Sequence, residues 1–461
     1  MNPLEQLRCG QLAGSQRVTL ACGLQQFPRE IFDLADSLEI LDLSNNALTQ
    51  LPPDLPRLHK LRVLFCSDNL FAELPAVLGQ CTQLTMVGFK ANQIRSVPGQ
   101  ALPPALRWLI LTDNQIEELP PEIGRCGQLQ KLMLAGNQLR ALPPELAACS
   151  RLELLRVAAN RLSEFPSFLL TLPRLAWLAY AGNPFCEDRE TVALAQAPIA
   201  SIPWDRLQLQ QQLGAGASGV IHQAQWINGE DIQPVAVKLF KGTVTSDGLP
   251  QCEMTATMSA GGHAHLIPVL GQVLDHPQGV HAMVLSLIDP AWRILAGPPS
   301  LDSCTRDIYG DDTSFDMTAA LGIALAVASA ACHLHAQGLM HGDLYAHNIL
   351  HSEQGAALLT DFGAASFIAP DDPQQAHALQ RLEVRAFACL LEELLARCTP
   401  QTDSADAANA LAELKTNCMQ KDPGARPLFA EIEQVLRTLE QQIHDPRCDS
   451  GRDAQGPDQR S

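Results

Sequence analysis

The sequence predicts two folded units of different class, an α/β solenoid over residues 1–186 and a second globular domain over residues 206–443. A pattern of leucines and one asparagine recurs every 22 or 23 residues between residues 38 and 185. A fixed period of this length is typical of a solenoid, in which stacked turns share one core. The pattern is lost at residues 187–205, which we interpret as a linker, and the second half instead carries a series of short motifs.

The repeat unit is clearest at Leu38-x-x-Leu41-x-Leu43-x-x-Asn46-x-Leu48. Its leucines are expected to point into the shared core, and its asparagine to bridge backbone groups of the neighbouring turn. The equivalent asparagines of the seven copies are Asn46, Asn69, Asn92, Asn114, Asn137, Asn160 and Asn183. This pattern resembles the leucine-rich repeat family, and Phe27-Pro28 indicates a degenerate leading turn that caps the open core.

In such a repeat, the residues beside the central leucine of each strand face the concave surface. The position just before that leucine is apolar in six of the seven copies, Lys131 being the exception. An exposed apolar stripe of this size usually marks an interface. We therefore expect this face to bind a protein partner, as a substrate or otherwise, or the chain's own second domain. The residues assigned to the interface are Phe65, Trp108, Lys131 and Trp177.

Charge and apolar content limit the possible functions. The chain has a formal net charge of −18, which argues against binding to nucleic acid or to an anionic membrane because both need basic patches. The most apolar stretch, residues 317–332, is shorter than the roughly 20 residues of a membrane-spanning helix, so we interpret it as a buried core helix. The 14 cysteines are scattered singly, which favours reduced thiols and a cytoplasmic location. Residues 444–461 are polar and aperiodic, and disorder is predicted there.

Four motifs follow one another in the second half. They are Gly214-Ala215-Gly216-Ala217-Ser218-Gly219-Val220, Val235-Ala236-Val237-Lys238, His341-Gly342-Asp343 with Asn348 five residues later, and Asp361-Phe362-Gly363. Glycines let backbone amides approach phosphate groups without a side-chain clash. In this order the motifs resemble the protein kinase family. The resemblance implies an α+β bilobal fold, binding of ATP and Mg²⁺, and transfer of phosphate to serine or threonine by default.

The resemblance also implies a role for individual residues. Lys238 would hold the nucleotide phosphates and pair with Glu253, while Asp343 would accept or orient the proton of the attacking hydroxyl. Asn348 and Asp361 would ligate magnesium. The other residues expected to line the nucleotide site are Gly214, Ala215, Gly216, Gly219, Val220 and Ala236. Phosphoryl transfer depends mostly on positioning and charge neutralisation, so this set is a sufficient minimum.

The second half departs from the kinase pattern at several positions. Gly342 replaces an arginine that normally reads a phosphorylated activation loop, and Tyr345 stands where serine/threonine kinases carry a lysine. No Ala-Pro-Glu motif follows Gly363, so the partner of the late arginine, Arg426, is unknown. Ser366 is the only hydroxyl side chain among the 19 residues between Gly363 and Glu383. We therefore predict that activity does not need phosphorylation of this segment.

Three functions remain open at this point. The first is an active protein kinase whose repeats select a partner or substrate. The second is a small-molecule phosphotransferase, because enzymes of that class also combine His-Gly-Asp with an asparagine five residues later and lack Ala-Pro-Glu. The third is a pseudokinase scaffold that binds nucleotide without turnover. The intact Val-Ala-Val-Lys and Asp-Phe-Gly motifs favour the first.

Overall fold

The structure of the chain is a computed structural model. It describes residues 2–196, 200–216, 218–242, 244–368, 372–399 and 405–444. The last helix ends at His444, and the rest of the predicted disordered tail lies outside the described residues.

The first half is a solenoid built on a parallel sheet in which each short strand pairs with the next repeat. A short helix, α1 (Pro3–Arg8), precedes the sheet. The strands are β1 (Arg17–Thr19), β2 (Ile40–Asp42), β3 (Val63–Phe65), β4 (Met86–Gly88), β5 (Trp108–Ile110), β6 (Lys131–Met133), β7 (Leu154–Arg156) and β8 (Trp177–Ala179). The chain returns between strands through short 3₁₀ turns, most of which begin just after a proline.

The asparagines form the predicted ladder between the turns. Asn69 illustrates the geometry, since its Oδ1 accepts a hydrogen bond from the Leu48 N–H at 2.9 Å and its Nδ2 donates to the Leu43 carbonyl at 2.9 Å. These bonds satisfy backbone groups that would otherwise be buried without a partner. The buried leucines therefore pack into one core along the whole solenoid.

The second half begins with a mixed sheet and one helix. The predicted linker contains α2 (Glu187–Gln196) and β9 (Ser201–Pro203), and β9 pairs in parallel with the edge strand of this sheet. In the described residues the strand order is β10-β11-β12-β14-β13-β9. The other elements are β10 (Leu207–Ala215), β11 (Gly219–Asn228), β12 (Asp231–Phe240), α3 (Pro250–Ser259), β13 (Val269–Leu274) and β14 (Ala282–Ser286).

The following lobe is mainly helical. Its helices are α4 (Met317–Ala336), α5 (Pro373–Leu395), α6 (Ala405–Cys418) and α7 (Phe429–His444). One short strand, β15 (Arg293–Ile294), precedes these helices, and four lie between α4 and α5: β16 (Leu339–Met340), β17 (Ile349–His351), β18 (Ala357–Leu359) and β19 (Ser366–Phe367). Within the described ranges α4 is the one helix apolar and long enough to cross a membrane, but 72% of its apolar window is buried in the protein. It packs along α7 and α5 as a core helix.

The solenoid and the helical lobe share their cores. Met340 and Ile368 of the lobe pack with the buried leucines of the repeats. Conversely, Leu154, Ala176 and Trp177 of the last repeats pack with the core of the lobe. The two predicted fold classes are confirmed, and the end of the solenoid is built into the domain that follows it.

Candidate active site

The glycine-rich motif forms the turn between β10 and β11. The Gly216 N–H donates to the Gly219 carbonyl at 2.9 Å and closes the turn. A Cβ at Gly219 would lie 2.5 Å from the Leu239 carbonyl oxygen, whereas one at Gly214 or Gly216 would meet nothing within 4 Å. Gly219 is therefore needed for close strand packing, while Gly214 and Gly216 leave space beside the turn for a ligand.

Lys238 lies on β12 and forms an ion pair with Glu253 on α3. Both residues are buried: 9% of the Lys238 surface and 3% of the Glu253 surface are exposed. Burial raises the pKa of the Glu253 carboxyl, and the Lys238 ammonium beside it opposes that rise. The structure thus brings these two residues together as the sequence predicted. Ala236 lies two residues before Lys238 on β12, and Val220 lies on the neighbouring strand β11.

Asp343 and Asn348 lie together in the loop after β16. The Asn348 Nδ2 donates to the Asp343 Oδ2 at 2.8 Å and to the Asp343 carbonyl at 3.0 Å. His341 holds the base of this loop, because its Nε2 lies 2.8 Å from the Thr360 carbonyl and its Nδ1 accepts from the Asp343 N–H at 3.3 Å. Burial alone would raise the pKa of Asp343, but Arg156, His347, His341 and the Asn348 amide together lower it.

Asp361 is the first residue of the next motif and is exposed. Its backbone is left-handed, with φ of 57°, and its Oδ1 accepts from the Gly363 N–H at 3.0 Å. Carboxylate and amide oxygens are the ligands that Mg²⁺ prefers. Because Asn348 uses its Nδ2 to bind Asp343, its Oδ1 is the atom left to contact a metal ion. The space beside the glycine turn and this donor set fit ATP with Mg²⁺, and the metal would neutralise phosphate charge when bound.

Arg156 is a residue of this site that our sequence reasoning did not assign. It extends from β7 of the repeats, and its Nη2 forms an ion pair with the Asp343 Oδ1. Its Nε binds the Asp247 Oδ1 at 2.6 Å, and its Nη1 donates to the Gly342 carbonyl at 3.1 Å. The available signal was that Arg156 is the one basic residue at the position just after the central leucine in the seven copies.

The repeats also contact Tyr345, the residue that replaces the usual lysine. The Trp177 ring stacks on the Tyr345 ring with centroids 4.2 Å apart and planes 6° apart. The Trp177 Nε1 donates to the Leu344 carbonyl at 3.0 Å. Of the two partners predicted for the concave face, the chain's own second domain therefore occupies Trp177. Phe65 and Trp108, on earlier strands, are only half-buried.

The structure also shows the surroundings of three residues that the sequence analysis singled out in the second half, Glu383, Ser366 and Arg426. Glu383 is fully buried and accepts from the Gly342 N–H at 2.7 Å while its other oxygen lies 2.7 Å from the His335 Nε2. Ser366 is also fully buried. Arg426 donates to backbone carbonyls, one of them that of Pro173 in the repeats at 2.8 Å. Backbone oxygens thus take the place of the carboxylate partner that the sequence lacks.

Comparison with known proteins agrees with both parts of this architecture. The family described as protein tyrosine and serine/threonine kinase matches residues 207–404, and the leucine-rich repeat family matches residues 37–58. The chain joins leucine-rich repeats to a protein kinase domain. The matched kinase residues include Lys238, Glu253, Asp343, Asn348 and Asp361, whereas the repeats supply Arg156 and Trp177.

Curated relatives of this kinase domain are distant. A probable serine/threonine-protein kinase kinX of Dictyostelium discoideum is 23% identical over 52% of this chain and 24% of its own length. Protein-tyrosine kinase 6 of Homo sapiens is 25% identical over 51% of this chain and 57% of its own length. A putative serine/threonine-protein kinase/receptor R826 of Acanthamoeba polyphaga mimivirus is 26% identical over 52% of this chain and 16% of its own length. The chain thus spans less than two thirds of each relative, and their names include both acceptor classes.

Proposed function

We propose that this chain is an ATP- and Mg²⁺-dependent protein kinase that phosphorylates serine or threonine in the cytoplasm. The observation that carries the proposal is that the Lys238–Glu253 ion pair lies close to Asp361, with the Asp343–Asn348 pair on the neighbouring loop. A Cβ at Gly363 would lie 3.1 Å from the Asp361 Oδ1 and 3.7 Å from the Glu253 Oε2. Lys238 holds the nucleotide phosphates. Asn348 and Asp361 hold Mg²⁺. Asp343 orients the acceptor hydroxyl and receives its proton.

The earlier strands of the repeats are the proposed place for a protein partner or substrate. Phe65 and Trp108 are half-buried there, beside a cavity that residues 300–302 line together with Val63 and Met86. Lys131 is 7% exposed and its Nζ lies 4.3 Å from the centre of the Trp108 ring, so it supports that ring. A partner held there would lie beside the kinase domain, which is the role that we propose for the repeats.

One observation favours a second candidate, a small-molecule phosphotransferase. Trp177 and Arg156 pack on the loop that carries Asp343, which narrows the approach for an extended peptide. A compact hydroxyl-bearing acceptor needs less room. The nucleotide and metal chemistry would be the same, and only the acceptor would differ.

The test uses the purified full-length chain, Mg²⁺ and ATP labelled at the γ-phosphate, with cell protein and a set of small hydroxyl compounds as acceptors. We expect label on protein serine or threonine, and a loss of roughly 10²- to 10⁴-fold in Asp343→Asn. Asp312→Asn, at an exposed position of the same domain, is the matched control and should keep full activity.

The other outcomes assign the alternatives. Label on tyrosine would replace the acceptor class but keep the kinase. Label on small molecules alone would establish the second candidate. Nucleotide binding with no labelled product would establish a pseudokinase scaffold and reject both enzymes.

A further inference from the structure

Arg156 is a buried charge whose described partners all lie in the kinase domain. Only 1% of the residue is exposed. Its three nitrogens each contact a different acceptor: Asp247, Gly342 and Asp343. A charge in the interior is tolerated only when it is paired and hydrogen-bonded. The Arg156 guanidinium is paired and hydrogen-bonded in this way, by Asp247 and by Gly342 and Asp343, which lie about 95 residues further along the chain.

The same contact balances the charge of the site. Asp247 and Asp343 are mutually repulsive, and Asp361 adds a third negative charge near Asp247. Arg156 lies between the first two carboxylates and binds one oxygen of each. Without this cation, two partly buried carboxylates would lose the ion pair that each makes with it, and Lys131 would be a nearby cation that remains.

Arg156 also determines the orientation of Asp343. One carboxylate oxygen of Asp343 is held by Arg156 and the other by Asn348. The side chain is nevertheless 18% exposed, so it remains accessible to solvent. A carboxylate held on both sides is already oriented before an acceptor arrives, and such preorganisation accounts for a large part of catalytic rate.

The contact is part of a continuous packed interface. Ala135, Ala158 and Ala179 of three successive repeats pack together with Ala364, which follows the Asp-Phe-Gly motif. A Cβ on Gly342 would lie 2.8 Å from the Leu178 carbonyl oxygen of the repeats. Since the backbones meet this closely, the repeats act as a wall of the kinase domain. Arg156 is therefore held at the site by the packing of a whole interface.

We propose that Arg156 of the repeats is a positioning residue of the phosphotransferase site, which fixes Asp343 for catalysis without a phosphorylated activation segment. The inference rests on the proposed function. It gives the last repeats a direct role in the chemistry, distinct from the partner binding proposed for the earlier repeats that carry Phe65 and Trp108. Gly342 lacks a side chain that could bind a phosphorylated residue, and the positive charge beside Asp343 comes instead from another domain.

The test measures steady-state release of ADP from Mg²⁺-ATP by the full-length chain. In Arg156→Ala we expect kcat to fall about 10- to 100-fold, because Asp343 loses its orientation, while KM for ATP changes less than about threefold. Arg156→Lys keeps the positive charge but loses the planar guanidinium that binds several acceptors at once. Its kcat should lie between those of the wild type and Arg156→Ala. Arg140→Ala is the control, since Arg140 is an exposed arginine of the repeats.

Two additions keep the test decisive. Asp247→Asn leaves Arg156 bound to Asp343 and weakens only the interaction of the Arg156 Nε with residue 247. If Arg156→Ala does not fold, Asp247→Asn should still lower kcat about three- to tenfold. Amide hydrogen exchange at residues 341–348 provides a readout apart from activity, and it should become faster in Arg156→Ala than in Arg140→Ala.

The outcomes separate this inference from the proposed function. An unchanged or higher kcat in Arg156→Ala would overturn it, and a higher value would mean that Arg156 inhibits Asp343. No ADP release by the wild-type chain would reject the proposed enzyme and with it any catalytic role of Arg156. Hydrogen exchange would then show whether Arg156 still fixes the loop, and unchanged exchange would reject the positioning itself.

Discussion

Trp108 and Trp177 occupy the same position of the repeat, three strands apart, but their surroundings differ. Trp108 on β5 is half-buried and carries the Lys131 ammonium over its ring. Trp177 on β8 is 1% exposed and stacks on Tyr345 of the kinase domain. Both tryptophans face the concave side because the strand period requires it. The neighbouring domain determines which one becomes part of a core.

In the first half of the concave face Phe65 and Trp108 stay half-buried, and residues 300–302 of the following domain line a cavity with Val63 and Met86. The second half of the face is a closely packed domain interface. The last strands supply Arg156 to Asp343 and Trp177 to Tyr345 in the loop that follows β16. A regular repeat can thus serve two purposes along one sheet. The predictions below test this division, beginning with the largest expected effect.

The largest expected difference between the two halves of the concave face is in the free energy of unfolding when each tryptophan is replaced by alanine. Trp177→Ala should lower the free energy of unfolding by about 4 kcal/mol, because it empties a packed site in a shared core. Trp108→Ala should cost about 1 kcal/mol, because a half-buried ring loses less packing. Urea denaturation followed by circular dichroism measures both. Equal losses would mean that the interface contributes no more than an exposed strand.

A methyl group at Gly342 tests how closely the domains approach. The residue has φ of 74°, and a Cβ would lie 2.4 Å from the Ala364 carbonyl oxygen as well as near the repeats. Gly342→Ala should cost about 3 kcal/mol through strain and overpacking. Gly261→Ala is the control, since φ there is 70° but the nearest atom is 3.9 Å away.

The Gly261 control should cost only about 1 kcal/mol, because backbone strain is its main contribution. Thermal unfolding of both variants gives the comparison. If Gly342→Ala were no worse than Gly261→Ala, the close approach of Leu178 and Ala364 would not restrict this position.

Replacement of Ser366 should have the smallest effect. Its Oγ accepts from the Tyr180 N–H of the repeats at 3.1 Å, so Ser366→Ala leaves one buried donor unpaired and should cost about 1 kcal/mol. Activity should persist, because a fully buried hydroxyl is not accessible to another kinase. Ser163→Ala, at an exposed position of the repeats, is the control. Loss of activity in Ser366→Ala with recovery in Ser366→Asp would reject our prediction that the segment needs no phosphorylation.

Local patterns made much of this architecture predictable. The asparagine ladder follows from a short-range rule, because each Asn contacts the turn next to its own. The ion pair between Lys238 and Glu253 was recognisable from motif order, although it joins a strand to a helix. The sequence placed Asn348 and Asp343 five positions apart in one motif, but the hydrogen bond between them came only from the structure.

The contacts made by Arg156 were not predictable in the same way. They join residues 156, 247 and 343, and the segment around Asp247 belongs to none of the motifs. Such a contact depends on the angle at which two domains meet, which no local pattern encodes. The partner of Arg426 was missed for the same reason, because backbone carbonyls carry no sequence signal.

The sequence by itself determined the two fold classes and the direction in which each repeat residue faces, and it singled out the residues that we propose for a nucleotide and its metal. These depend on periodicity and on short motifs, whose physics is local. The tertiary structure decided that the last repeats form a wall of the kinase domain, with Arg156 between Asp247 and Asp343. It also accounts for Gly342 and Tyr345, because the repeats occupy the space beside them. The physical reason is that buried charges and close backbone contacts depend on what packs opposite, and the opposite surface comes from a distant part of the chain.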